Sequence, residues 1–198
     1  MNNETFISDN YVKEEFELNA NKARLVLFGN LVFSVILFGL PFYFLWRENL
    51  PFLQESIEWY KKLIGLGIGL IIAIIGIIVH ELIHGFFGAI FNKNGFKSIR
   101  FGILLKKGMA YCANTETARK NKYIVSLVMP GILLGIIPAI ISLVIWNFYL
   151  LIFGIVFTIA ASGDLILLGK ICKYSNDSWI EDKIANNEVK IYIYRKKQ

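Results

Sequence analysis

The chain has 198 residues, 56% of them hydrophobic and 18% charged, with a mean hydropathy of +0.54. Such a balance excludes an ordinary soluble domain of this length and points to an integral membrane protein whose main partner is the lipid bilayer. The formal net charge of +6 gathers in the segments between the apolar runs, so it reads as membrane topology, with no nucleic-acid partner implied.

From the N-terminus, residues 1–24 form a polar, acid-rich cytoplasmic segment. A short amphipathic surface helix is expected over Tyr11 to Ala23, a frayed tail being the other reading. No cleavable leader is visible, so the first apolar run reads as an uncleaved anchor. Four runs match the roughly 20 helical residues that cross about 30 Å of hydrocarbon: residues 25–46, 63–82, 123–146 and 148–168. Trp46, Tyr60, Tyr123, Trp146 and Tyr149 flank them as interfacial aromatics. The expected fold class is an all-α membrane protein of about four transmembrane helices, with a small cytoplasmic β-hairpin between helices 2 and 3. The membrane domain would span 25–170 and a cytoplasmic tail 171–198.

The hairpin is read from Ile99, Phe101, Ile103 and Leu105, which alternate on one face, a turn at Lys106-Lys107-Gly108, and Met109, Tyr111 and Ala113 beyond it. Pro130-Gly131 and Pro138 should loosen the third span. Near the C-terminus, Val189-Lys-Ile-Tyr-Ile-Tyr alternates as a strand that could join the hairpin. Eighteen Lys and Arg residues lie in the leader, the middle loop and the tail, against three between Arg47 and Lys62. This positive-inside bias places both termini and the middle loop on the cytoplasmic side of a multi-pass cell-membrane protein. Cys112 and Cys172 then face a reducing compartment and should be free thiols.

Both histidines of the chain stand in one of its most apolar stretches, as His80-Glu-Leu-Ile-His. On a helix, residues four apart share a face, so the two imidazoles can grip one metal ion. Glu81 points about 100° away, a position suited to taking a proton from a metal-activated water. An intramembrane carboxylate is expensive unless it serves a purpose. A catalytic zinc usually has three protein ligands and an open position. Apart from Glu81, the only acid in the second to fourth spans is Asp164. Counted from Leu63 and Phe148, His80 lies 17 residues in and Asp164 lies 16 residues in, or about 26 and 24 Å, so two parallel helices bring them level. Cys112 is the rival third ligand. Gly85, Gly88 and Gly163 read as sites of close helix approach, and Asn114, Asn121 and Ser162 as possible hydrogen-bond donors to a reacting carbonyl.

His80-Glu-Leu-Ile-His-Gly85, Phe101-Gly102, Ala110-Tyr111, Met129-Pro130 and Ser162-Gly163-Asp164 together resemble the putative zincin peptidase family of bacteria, over roughly Ile71 to Val189. These small multi-span proteins are similar in logic to the site-2 proteases. The resemblance implies zinc bound by His80, His84 and Asp164, with Glu81 as general base. Unlike site-2 proteases, Asp164 lacks the Asn-Pro before it and the Gly after it, which leaves the oxyanion-stabilising group unassigned. The expected activity is an intramembrane zinc metallopeptidase cutting a membrane-anchored protein. The competing reading is a non-catalytic metal-binding adaptor or partner subunit, its zinc closed by a fourth ligand such as Cys112. A metal transporter would want charge in the first and third spans, where there is none. The oligomeric state is not written in the sequence.

Overall fold

The computed structural model describes residues 11–17, 19–49, 58–104, 109–185 and 188–197. Its helices are α1 (Ala20–Trp46), α2 (Trp59–Phe91), α3 (Lys120–Ile145), α4 (Phe148–Ala160) and α5 (Ser162–Ile171). Its strands are β1 (Tyr11–Glu15), β2 (Ile99–Leu104), β3 (Met109–Asn114), β4 (Ala118–Arg119), β5 (Trp179–Ala185) and β6 (Glu188–Lys196). The chain divides into a helical unit, Arg24–His80 with Pro130–Ser162, and a mixed unit, Met1–Ala23 with Glu81–Met129 and Gly163–Gln198.

The helical unit is built from apolar runs that close their own backbone hydrogen bonds, as lipid requires. Helices α1, α2 and α3 are each long and apolar enough to cross a membrane. The pair α4 and α5, bent by 43° at Ala161, makes a fourth if it counts as one broken span. The protein is therefore membrane-associated, and the large apolar side chains of α1 and α2 are mostly exposed, as a lipid-facing surface requires. Helix α2 extends nine residues past the expected Leu82, because Phe86 to Phe91 prolongs the apolar pattern beyond the histidines.

Two widened turns, Val35–Gly39 and Gly131–Ile136, interrupt α1 and α3. In each, the closing amide reaches five residues back, from Leu40 to the Val35 carbonyl and from Ile137 to the Ile132 carbonyl. Pro41 and Pro138 follow immediately. Proline lacks an N–H, and its ring crowds the carbonyl four residues earlier, which the wider turn relieves. The loosening expected of the third span takes this form, and Pro41 does the same in the first.

Helices α3 and α4 meet backbone to backbone. A Cβ added at Gly154 would fall 2.6 Å from the Ala139 nitrogen and 2.8 Å from the Gly135 oxygen. The turn between them puts Trp146 at φ 53°, after which the Asn147 side chain caps α4 by accepting from the Leu150 amide at 2.9 Å. Trp146 stacks on Trp46, whose indole N–H donates to the Leu143 carbonyl at 3.0 Å. Phe38, Phe42, Ala139, Leu151 and Ile155 form the core.

The mixed unit overturns the all-α expectation. It holds a four-stranded antiparallel sheet in the order β1-β6-β5-β4 and a two-stranded sheet of β2 and β3. Tyr11–Glu15, expected as part of a surface helix, is a strand paired with β6 from Tyr11↔Lys196 to Glu15↔Tyr192. The pairing is secured by Glu14, whose carboxylate accepts from Tyr174 Oη at 2.6 Å and Arg195 Nε at 2.5 Å, and by Lys13 lying over the Tyr192 ring. The C-terminal strand forms, yet it joins β1 and β5 instead of the hairpin. The hairpin lies between α2 and α3 in register from Ile99↔Asn114 to Leu104↔Met109; its expected turn, Lys106-Lys107-Gly108, lies outside the described residues. Tyr123, Leu127, Leu167, Ile171, Ile180 and Ile193 pack the core. Buried Lys120 donates to the Tyr174 carbonyl just past α5 at 2.6 Å, where a cation complements the end of a helix.

Candidate metal centre

His80 and His84 sit one turn apart on the unbroken helix α2, and Asp164 lies in the first turn of α5. His84 Nε2 is 3.5 Å from Asp164 Oδ1, and ligand atoms of His80, His84 and Asp164 all lie within 4.8 Å of one another. Two ligands on one tetrahedral zinc, each at about 2.0–2.2 Å, stand about 3.4 Å apart, so the His84–Asp164 separation is already that of a bound pair. Two imidazoles and one carboxylate are also the chemistry of a catalytic zinc site. The residues present fit the metal.

The supporting contacts favour the same arrangement. His84 Nδ1 lies 2.9 Å from the Ser126 carbonyl, so the ring donates there and leaves Nε2 to face Asp164. Ser126 Oγ returns a bond to the His84 carbonyl at 2.7 Å. Asp164 gains from its place at a helix start, where the dipole favours negative charge. Glu81, the residue after His80, is half-buried. It lies near Cys112 of β3, whose thiol is pushed up to about 12 by burial and by the charges of Glu81 and Asp182. Gly85, next to His84, admits the hairpin: a Cβ there would fall 2.3 Å from the Phe101 ring.

Residues 73–179, more than half of the chain, match the model of a family described as "putative zincin peptidase". The chain belongs to this family. No curated protein and no solved structure matches it. The zincin match takes in His80, Glu81, His84, Asp164 and the hairpin, and its description implies a metallopeptidase dependent on zinc.

Other residues singled out in the sequence fall elsewhere. Cys112 stays outside the group of convergent donors. Both cysteines are free thiols among the described residues. Asn114 hydrogen-bonds Asn92 and the Glu116 amide at the root of the hairpin, Ser162 serves the end of α4, and Asn121 is exposed. Gly85 and Gly88 do take close neighbours, but these are chiefly β2 side chains, and a Cβ on Gly163 would meet nothing within 4 Å. Ser126 was missed; its one signal is a lone hydroxyl inside the apolar run Ile124 to Val128. Asp182 was missed too. It is buried on β5 and accepts from the Asn114 amide and Tyr123 Oη, each at 2.8 Å.

Proposed function

We propose that this protein is a zinc-dependent intramembrane metallopeptidase that hydrolyses a peptide bond of a membrane-anchored protein. His80, His84 and Asp164 hold the metal and Glu81 is the general base. The observation that carries the reading is the meeting of three donors of catalytic-zinc type beside a glutamate, in a chain of membrane-spanning character. Three protein donors leave a coordination position open, whereas a structural site closes with four.

Zinc held by His80, His84 and Asp164 would supply Lewis acidity toward the attacking water and the scissile carbonyl. Glu81 takes a proton from the attacking water and hands it to the departing amine nitrogen; the C–N bond breaks, and a carboxylate and an amine leave. His84 is held in one tautomer by Ser126, so its Nε2 lone pair stays directed at the centre. Strands β2 and β3 pair only with each other among the described residues, so an extended substrate segment can add to that sheet through its backbone. Such a seat matters because a helical substrate hides its carbonyls in its own hydrogen bonds. The positive-inside charge bias supports four passes with both termini cytoplasmic.

Metal analysis of the purified protein tests the site. Zinc should be present in the wild type and Glu81→Gln, and lost from His80→Ala and Asp164→Ala. Cleavage of single-span test proteins in proteoliposomes should vanish in Glu81→Gln. Full zinc retention by Asp164→Ala removes that ligand, and undiminished cleavage by Glu81→Gln removes the base.

A further inference from the structure

We infer that Asn30 of α1 is a positioning residue for the metal centre: its side-chain amide holds the break between α4 and α5, and thereby the direction in which α5 presents Asp164. The inference rests on Asp164 being a zinc ligand. It begins from a polar residue that no motif contains. The two buried residues in the first segment of α1, Asn30 and Ser34, are both polar.

Helix α4 stops at Ala160, and a helix that stops leaves its last four carbonyls without the regular donors. In an apolar setting each such carbonyl needs another partner, at several kcal/mol if it finds none. Of these, the Phe157 carbonyl still receives the regular donor, the Ala161 amide at 3.2 Å, and two others take side-chain donors. Ser162 Oγ donates to the Ile159 carbonyl at 2.5 Å. The third, Thr158, takes its donor from another helix: Asn30 Nδ2 at 2.7 Å. The same Nδ2 donates to Ser162 Oγ at 3.0 Å, which fixes the hydroxyl whose proton serves Ile159. One amide group thus binds both sides of the break.

Asp164 follows two residues after Ser162. Were α4 to continue straight, the first turn of α5 would run 43° from its present course. Over the four residues from Ala160 to Asp164, about 6 Å at helical rise, that swing moves the aspartate by about 4 Å. Metal–ligand distances tolerate only a few tenths of an ångström. Holding the bend is therefore a condition for three ligands instead of two.

The test uses full-length protein in nanodiscs, with zinc affinity measured by chelator competition and the ligand field by the visible absorption of bound Co²⁺. Asn30→Leu, branched at the same atom though larger and with no donor, should bind zinc about 10- to 100-fold more weakly, the range for losing a group that supports a ligand. Its Co²⁺ spectrum should shift toward that of Asp164→Ala. Asn30→Gln keeps the donors on a longer stem and should recover most of the affinity. If Asn30→Leu does not yield monodisperse protein, Asn30→Ala carries the same expectation. Wild-type affinity and spectrum in a folded Leu or Ala variant overturn the inference while leaving the centre intact. A Gln variant as weak as the Leu variant overturns it too, since side-chain shape rather than hydrogen bonding would then carry the effect. An Asp164→Ala protein with unchanged affinity defeats the metal centre itself, a result distinct from both.

Discussion

The helical and mixed units solve one problem, the satisfaction of polar groups away from water, in different ways. In the helical unit polar side chains are sparse, and three of them serve backbone at helix breaks and ends: Asn30 at the Thr158 carbonyl, Asn147 at the Leu150 amide, Trp46 at the Leu143 carbonyl. In the mixed unit polar side chains are dense, and besides bonding backbone many of them pair with one another. Tyr123 meets Asp182, Tyr194 meets Glu181, and Tyr174 and Arg195 share Glu14. The contrast teaches that apolar helices place their few polar side chains at breaks and ends of the backbone and approach one another through glycine, whereas the sheets also pair polar side chains with each other.

The sharpest way to break this comparison is to fill a glycine in the helical unit. Gly154→Leu places its Cβ against backbone of α3, which cannot rotate aside, and should cost about 3 kcal/mol or more in equilibrium unfolding from mixed micelles. Gly67→Ala is the matched control: nothing lies within 4 Å of its added Cβ, and stability should hold or rise by up to about 1 kcal/mol. Equal losses at both positions would deny that close backbone approach organises this unit.

In the mixed unit the corresponding probe is charge. Burial pushes Asp182 up to about 6 from an ordinary 3.8, partly opposed by the bonds from Asn114 and Tyr123. The fold therefore retains a proton that the unfolded chain gives up near pH 4. The stability this contributes is complete below about pH 4 and is lost as pH rises through about 6, a change on the order of 3 kcal/mol. Asp182→Asn should flatten the dependence of Tm on pH across that window, and an unaltered slope would assign it to other groups.

The smallest effect is on reactivity, without change in stability. At pH 8 a maleimide should modify exposed Cys172 readily and Cys112 slowly, because the Cys112 thiol is partly buried and pushed up to about 12. Comparable rates would show that the strand carrying Cys112 opens to solvent.

Much of the helical unit was legible in the sequence, because unbroken apolar runs of about 20 residues have few alternatives. The metal-ligand candidates were legible for a similar reason: two histidines and two acids are conspicuous against leucine and isoleucine, and helical rise alone brought Asp164 level with His80. The four-stranded sheet was not. Its strand Tyr11–Glu15 is short and polar, and its partner β6 stands at the other end of the chain, so no local pattern announces the pairing. Strand β5, Trp-Ile-Glu-Asp-Lys-Ile-Ala, conceals itself further by burying Asp182 where alternation with Ile180 and Ile184 would put an apolar side chain, and by burying Glu181 beside it. Asn30 was passed over because a single amide carries no spacing to recognise; its meaning depends on a break in a helix more than a hundred residues away.

Helix α2 has 33 residues, about 50 Å of continuous rod against about 30 Å of hydrocarbon. Such a rod meets the surplus by leaning or by protruding, and the balance shifts with the lipids around it. On the intramembrane reading proposed above, the depth of His80 and His84 would be a property of the membrane as well as of the protein. A thicker bilayer would draw the imidazoles into drier surroundings and a thinner one would wet them, making lipid composition a rheostat on the water supply of the centre.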